Sequence, residues 1–173
     1  MKNRAFIDAQ NLYLGTTKSN VPWNIDLKRF RIYLSEKYDV EEAYYFLGYV
    51  DDANQDLYSN IQKAGFILIF RNHSYNMLSH KKGNVDTDIV FSIMRMLYKN
   101  ENFDQVILVS GDGDYAKMVD FLIKEEKFKK ILLPDSSKAS SLYKRLDAKY
   151  RDNIDNPSIK NKIKLHKIKT GSP

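Results

Sequence analysis

The sequence predicts an α/β fold in which a central parallel sheet of about five strands is flanked by helices. Short apolar runs alternate along the chain with longer amphipathic segments, a pattern that is typical of consecutive βα units. The length of 173 residues suits one domain, and a content of 43% hydrophobic and 29% charged residues is ordinary for a globular protein. No apolar run approaches the ~20 residues that a membrane-spanning helix needs.

Short segments rich in branched and aromatic residues are predicted to form the strands. In chain order they are residues 4–8, 42–50, 66–70, 106–109 and 131–133. Residues 66–70 are wholly apolar, so we expect them to form a buried central strand. The polar and basic segment 71–83 that follows is predicted to be a loop or a small hairpin.

Helices are predicted where apolar residues recur at helical spacing between the strands. Asp26 is expected to cap a helix that reaches Tyr38, and Asp51 or Asp52 to cap one that ends before Gly65. Four further helices are predicted: one from about residue 11, and others over residues 85–100, 115–123 and 136–146.

The formal charge of +6 is concentrated at the C-terminal end. Residues 151–173 contain six cationic side chains and only two acidic ones. We therefore divide the chain into a domain over residues 1–150 and a basic C-terminal tail over 151–173. Alternation of lysine with apolar residues in 160–169 leaves two interpretations of the tail open, an edge strand or a disordered arm. Its charge favours either phosphate contacts or a solvated terminus.

Composition also restricts the chemistry of any site. Cysteine is absent and there are three histidines, so disulfides, thiolate nucleophiles and zinc sites with cysteine ligands are excluded. A metal would have to be held by carboxylates, which favours Mg²⁺ or Mn²⁺. The N-terminus leads directly into the first strand, leaving no room for a signal peptide, and we expect a cytoplasmic protein.

Acidic residues follow two strands that should be neighbours in a parallel sheet. Asp8 closes the first strand, and Asp112 and Asp114 lie in the segment S-G-D-G-D directly after the fourth. Ligand sites in such sheets lie beyond the carboxyl ends of the strands, near the switch in strand order. Asp86, at the start of the helix before the fourth strand, could reach the same edge. Each aspartate taken alone could instead cap a helix or a turn, but clustered carboxylates are most simply tolerated by binding a cation.

Three segments in order resemble the motifs of NYN domains, a branch of the PIN-like nuclease superfamily. They are F-I-D-A-Q-N-L at residues 6–12, K-G-N-V-D at 82–86 and V-S-G-D-G-D-Y at 109–115. The resemblance spans roughly residues 4–135. It implies a Rossmann-like, PIN-like fold and a metal-dependent ribonuclease that hydrolyses RNA in an acidic pocket.

By position, the resemblance makes Asp8, Asp86, Asp112 and Asp114 the catalytic and metal-binding carboxylates. Residues expected to support the site or contact the RNA are Asn11, Lys82, Ser110, Arg71 and Tyr75, with His73, His80 and Lys81 as further cationic or polar groups of the same loop. Many such domains carry another acid about two turns after Asp86. Here that neighbourhood holds Ser92, and Asp88 projects from a different helix face.

Two enzyme classes with related folds are excluded by named residues. A haloacid-dehalogenase-like phosphatase needs an aspartate where this chain has Gln10, and a dinucleotide-binding domain needs a glycine-rich turn after the first strand. The remaining alternative is an RNA-binding or regulatory module that keeps the fold and cleaves weakly or not at all. The sequence leaves room for a homodimer.

Overall fold

The computed structural model describes residues 2–71 and 85–166 and contains a parallel sheet of six strands. The strands are β1 (Asn3–Asp8), β2 (Val40–Leu47), β3 (Ile67–Phe70), β4 (Val106–Val109), β5 (Phe128–Leu133) and β6 (Arg151–Asn153). Their order is β3-β2-β1-β4-β5-β6, and each pairing is parallel. The predicted α/β class is confirmed, with one strand more than expected.

Seven α-helices connect or flank these strands within the described residues. They are α1 (Ala9–Gly15), α2 (Leu27–Tyr38), α3 (Gln55–Lys63), α4 (Val85–Tyr98), α5 (Ala116–Lys124), α6 (Ser141–Lys144) and α7 (Pro157–Ile163). Asp26 caps α2 as predicted, because its side chain accepts a hydrogen bond from the backbone N–H of Arg29 at 3.0 Å. None of the described helices combines the length and the apolar character required to cross a membrane.

The sheet separates two hydrophobic cores because successive side chains of a strand point to opposite faces. Ala5 and Ile7 of β1 belong to the core beneath α1, α2 and α7, whereas Phe6 belongs to the core beneath α4 and α5. All three side chains are fully buried. The strand is therefore fixed in register from both sides, and this holds Asp8, its last residue, at the edge of the sheet.

The predicted position of the third strand was wrong. β3 is one of the two outer strands of the described sheet, and Ile67 is 40% exposed. A short apolar run is compatible with a central strand and also with an edge strand that is partly covered by a helix, so its sequence alone does not distinguish the two. The loop predicted over 71–83 lies outside the described residues apart from Arg71.

The helix predicted over residues 136–146 is also shorter than expected, since only α6 is α-helical. Side chains before it bond to the backbone of turns instead. Asp135 accepts from the N–H of Ser137 at 3.0 Å, and Ser140 caps α6 by accepting from the N–H of Leu142 at 3.3 Å. Serine and aspartate compete with helix formation in this way.

Residues 151–166 are packed against the domain rather than forming a separate tail. β6 extends the sheet beside β5, and α7 buries Ile159 and Ile163 against the same core as α2. Neither interpretation left open for residues 160–169, an edge strand or a disordered arm, describes residues 160–163, because α7 extends to Ile163 and the edge strand is β6. The four-residue spacing of Ile159 and Ile163 is a helical pattern. Residues 167–173 lie outside the described part of the chain.

Candidate metal centre

The acidic residues gather where the strand order of the sheet changes direction. β1 and β4 are direct neighbours, with Ile7 opposite Val109, so Asp8 and the loop that follows β4 leave the same edge. The crossover to β2 passes on one side of the sheet, and the crossover from β4 to β5 passes on the other. This is the position at which open parallel sheets bind their ligands.

Three carboxylates form the open part of this cluster. Asp86, Asp112 and Asp114 each offer a carboxylate oxygen, and these oxygens all lie within 4.8 Å of one another. Asp86 belongs to the first turn of α4, and Asp112 caps a 3-10 turn at Gly113–Tyr115. Asp86 and Asp112 are half-buried and Asp114 is exposed. The arrangement is an all-oxygen group that is accessible from solvent on one side.

Asp8 lies behind these three carboxylates and is 4% exposed. One of its oxygens accepts from the N–H of Asn11 at 2.9 Å, which caps α1. The other accepts from the Tyr115 hydroxyl at 3.2 Å and the Ser110 hydroxyl at 3.4 Å. Burial, together with the charge of Asp86, raises the pKa of the Asp8 carboxyl above its usual range.

Tyr115 connects the buried aspartate to the open group. Its hydroxyl lies 2.7 Å from an oxygen of Asp86 and 3.2 Å from an oxygen of Asp8. A tyrosine hydroxyl has one hydrogen, so it donates to one carboxylate at a time. Burial and the negative charges of Asp8 and Asp86 raise the pKa of Tyr115, which keeps the hydroxyl protonated. The sequence placed Tyr115 at the end of the motif over residues 109–115 and in a predicted amphipathic helix, but assigned no role to its hydroxyl.

The loop after β4 is held by side chains that also lie at the site. The amide oxygen of Asn11 accepts from the N–H of Gly111 at 2.7 Å, and the Ser110 hydroxyl accepts from the N–H of Asp112 at 3.1 Å. The Tyr143 hydroxyl donates to the carbonyl oxygen of Asp112. Asn11 and Ser110 therefore have backbone partners that fix the loop carrying Asp112.

Close packing also explains a glycine in this loop. A Cβ added to Gly113 would lie 2.6 Å from the hydroxyl oxygen and 3.1 Å from the Cβ of Ser140. Ser140 caps α6, so it has little freedom to move away. Glycine is consequently required at position 113, because the segment before α6 packs directly against the loop there.

The remaining predicted residues lie apart from this centre or outside the described residues. Arg71 follows the outer strand β3, two strands from β1, which corresponds to about 10 Å across the sheet. Its backbone N–H donates to Gly48 at 3.2 Å. Asp88 and Ser92 are half-buried on α4, and neither contributes to the three-carboxylate group. The loop residues Lys82, Tyr75, His73, His80 and Lys81 lie outside the described residues.

A depression of about 310 Å³ begins beside the loop and was not predicted from the sequence. Its lining includes Asn11 and Gly111, which hold the loop of the site together, and the side chains of Lys18, Lys138 and Asp135. Both lysines are exposed, and the ammonium of Lys138 lies 3.7 Å from a carboxylate oxygen of Asp135. The depression therefore brings two lysines and one aspartate together beside Asn11 and Gly111.

Comparison with known proteins identifies related sequences and folds. The family model of the NYN domain matches residues 5–153. Low amplitude and bright protein LabA of Synechococcus elongatus is 24% identical over 151 residues, which cover 82% of this chain and 78% of LabA. A protein of unknown function from Vibrio parahaemolyticus shares the fold with a TM-score of 0.70 and 23% identity, over 95% of this chain and 96% of that one.

Proposed function

The chain belongs to the NYN domain family, and from this premise we propose that it is a metal-dependent ribonuclease. The observation that carries the proposal is the group of three carboxylate oxygens within 4.8 Å of one another at the switch point of the sheet. The proposed reaction is hydrolysis of an RNA phosphodiester bond by an activated water. RNA is proposed as substrate because the family belongs to the PIN-like nuclease superfamily.

The donor set fits a hard divalent cation. All its ligand atoms are carboxylate oxygens, which are the ligands that Mg²⁺ and Mn²⁺ prefer. We propose that Asp86, Asp112 and Asp114 hold the ion directly. Asp8, which the resemblance places among the metal-binding carboxylates, has one oxygen bonded to the N–H of Asn11 and the other beside the hydroxyls of Ser110 and Tyr115. We therefore assign Asp8 to the rear wall, where it acts through Tyr115 or through a water.

The bound ion supplies a water of lowered pKa and stabilises negative charge on the phosphoryl oxygens. The side chains around the site would hold the carboxylates in position. Asn11 and Ser110 hold the backbone of the loop that carries Asp112, and Tyr115 donates to Asp86 and thereby orients its carboxylate. Fixed ligands of this kind reduce the reorganisation that the reaction requires.

We propose substrate contacts at the lysines of the depression beside the loop that carries Asp112. Lys18 and Lys138 line the depression that starts at Asn11 and Gly111, and we propose that they contact RNA phosphates. Arg71, Lys82 and Tyr75 remain predicted contacts.

The first experiment compares cleavage of a panel of single-stranded and structured RNAs with Mg²⁺, with Mn²⁺ and with EDTA. Asp112→Asn removes one proposed ligand charge, and we expect it to slow cleavage at least ~100-fold while the circular dichroism spectrum stays unchanged. Asp56→Asn is the matched control, because Asp56 is an exposed aspartate in the first turn of α3. Equal cleavage by Asp112→Asn and wild type would refute the assignment.

A second candidate function is an RNA-binding or regulatory module that cleaves weakly or not at all. The observation in its favour is Ser92, which occupies the neighbourhood where many such domains carry an additional acid. Binding of RNA without cleavage of any member of the panel, in the presence of Mn²⁺, would favour this function over the nuclease.

A further inference from the structure

Helix α4 has apolar side chains on two opposite faces. Its inner face buries Ile89, Ile93 and Met96 in the core beneath the sheet. Its outer face presents Phe91, which is 64% exposed, and Tyr98, which is 88% exposed. A helix that is apolar on both faces is typical of one that is covered on both sides.

The outer residues follow the spacing of a helix that packs against another helix. Thr87, Phe91, Met94 and Tyr98 are separated by four, three and four residues, so they form one stripe along α4. Thr87 is exposed and Met94 is 36% exposed. Clustered aromatic residues on a surface indicate an interaction site, whereas single exposed apolar residues do not.

One edge of this stripe carries two opposite charges. Asp88 and Arg95 are seven residues apart, which is two helical turns, and both lie beside the stripe on the same edge. When two identical helices pack antiparallel about a two-fold axis, equivalent edges face each other. Asp88 of each copy then lies opposite Arg95 of the other, so the edge is complementary to itself.

We propose that α4 pairs antiparallel with α4 of a second copy of this chain and forms a two-fold homodimer. Phe91 of each protomer packs against Met94 of its partner, Thr87 packs against Tyr98, and the charged edges form two reciprocal ion pairs. Closed two-fold dimers are the most common soluble oligomers, and their interfaces are self-complementary in this way. A second copy is thus the occupant that matches both the apolar stripe and the charges.

The dimer has a consequence for the acidic centres, although it does not depend on their activity. Asp86 lies at the start of α4, so antiparallel packing places the two centres at opposite ends of the same interface. They would be separated by roughly 20 Å along the helix axis. The two centres would then be available to a single long RNA.

The test of the stripe uses sedimentation velocity of the full chain over a range of concentrations to about 100 µM. We expect a monomer–dimer equilibrium in which Phe91→Ser raises the dissociation constant at least ~100-fold, because the substitution occurs twice in the interface. Val21→Ser is the control, since Val21 is 73% exposed and lies outside α4. A wild-type chain that stays monomeric, or a dimer that Phe91→Ser does not weaken, would overturn the proposal.

The test of the antiparallel orientation uses charge exchange. Asp88→Arg and Arg95→Asp should each weaken self-association, because each places like charges opposite one another twice. The double variant, and an equimolar mixture of the two single variants, should restore the dimer, since both recreate opposite charges. Thermal unfolding confirms that each single variant is folded. If neither the double variant nor the mixture of single variants restored the dimer, the proposed orientation would be overturned. If the mixture restores it, misfolding of the single variants is excluded as the cause of their weaker self-association.

Discussion

The acidic centre has two walls made of the same residue type in different environments. On the rear wall, Asp8 is 4% exposed and both its oxygens accept hydrogen bonds. On the open wall, Asp86, Asp112 and Asp114 approach one another closely and face solvent. A buried carboxylate with several donors is suited to holding position, whereas accessible carboxylates that repel one another are suited to binding a cation. Identical side chains thus have different environments, and the roles that we propose for them differ for that reason.

The largest difference between the walls should appear in metal affinity. We expect Asp86→Asn to weaken Mn²⁺ binding about 100-fold, because it removes a charge from the group that we propose to hold the ion. Asp8→Asn should weaken binding by about 10-fold or less. Isothermal titration calorimetry with Mn²⁺ measures both. An effect of Asp8→Asn equal to that of Asp86→Asn would remove the distinction between the walls.

The connection between the walls is tested by Tyr115→Phe. Loss of the hydroxyl removes the single donor that Asp8 and Asp86 share, and we expect the free energy of unfolding to fall by about 2 kcal/mol without metal. Saturating Mn²⁺ should reduce this cost, because the ion neutralises the charges that the hydroxyl no longer satisfies. Tyr58→Phe, which removes a hydroxyl bonded to the N–H of Asp51 on another part of the surface, should show no such dependence on Mn²⁺. Urea unfolding with and without Mn²⁺ measures both variants.

A smaller effect is expected at the loop that supports the open wall. Gly113→Ala should cost about 1 kcal/mol and slow cleavage several-fold, because the new Cβ would press on Ser140 and displace Asp112 or Asp114. Gly48→Ala is the matched control, since a Cβ added there meets no atom within 4 Å. Similar unfolding curves and similar cleavage rates for the two alanine variants would show that the loop is not held as described.

The smallest expected effect is the pH dependence of stability in EDTA. Because burial raises the pKa of Asp8, the folded state binds its proton more tightly than the unfolded state. The stability contributed by protonated Asp8 is complete below its usual value of 3.8 and is lost as pH rises through the folded pKa. The Asp8→Asn variant has no carboxyl at this position and should not show this loss of stability. The free energy of unfolding of the variant, relative to that of wild type, should therefore increase from acid to neutral pH.

Asp135→Asn provides a control of opposite sign. Burial acts to raise the pKa of Asp135, but hydrogen bonds from Ser137 and the charge of Lys138 outweigh it and lower the pKa. The contribution of Asp135 is present above its usual value and is lost as pH falls through the folded pKa. Stability of Asp135→Asn relative to wild type should therefore decrease from acid to neutral pH. Parallel pH profiles for the two variants would contradict the environments described for these aspartates.

Much of the fold could be predicted because local pattern and topology agree. Residues 106–109 form a strand as predicted, and the short apolar run has the length and branched side chains that a buried strand requires. The proximity of Asp8 to the loop after β4 followed from the expectation that β1 and β4 are neighbours. The motif resemblance added Asp86 to the predicted site, whereas the predicted topology only allowed Asp86 to reach the same edge of the sheet.

The parts that were missed depend on tertiary contacts. β6 contains R-D-N, so its sequence has no strand pattern, and it pairs only because β5 offers an open edge. The role proposed for Tyr115 depends on the position of its hydroxyl between Asp8 and Asp86. An amphipathic sequence pattern predicts that the ring is buried but does not predict which groups the hydroxyl contacts. Lys18 and Lys138 come from elements far apart in the chain, so their shared depression appears only after folding.

The most direct test of the central claim is a crystal structure of the protein soaked in Mn²⁺, with anomalous scattering used to locate the ion. We expect one anomalous peak about 2.1 Å from carboxylate oxygens of Asp86, Asp112 and Asp114, with Asp8 behind them and still bonded to Tyr115. A peak held by Asp8 without these three residues, or no peak at the centre in saturating Mn²⁺, would contradict the claim.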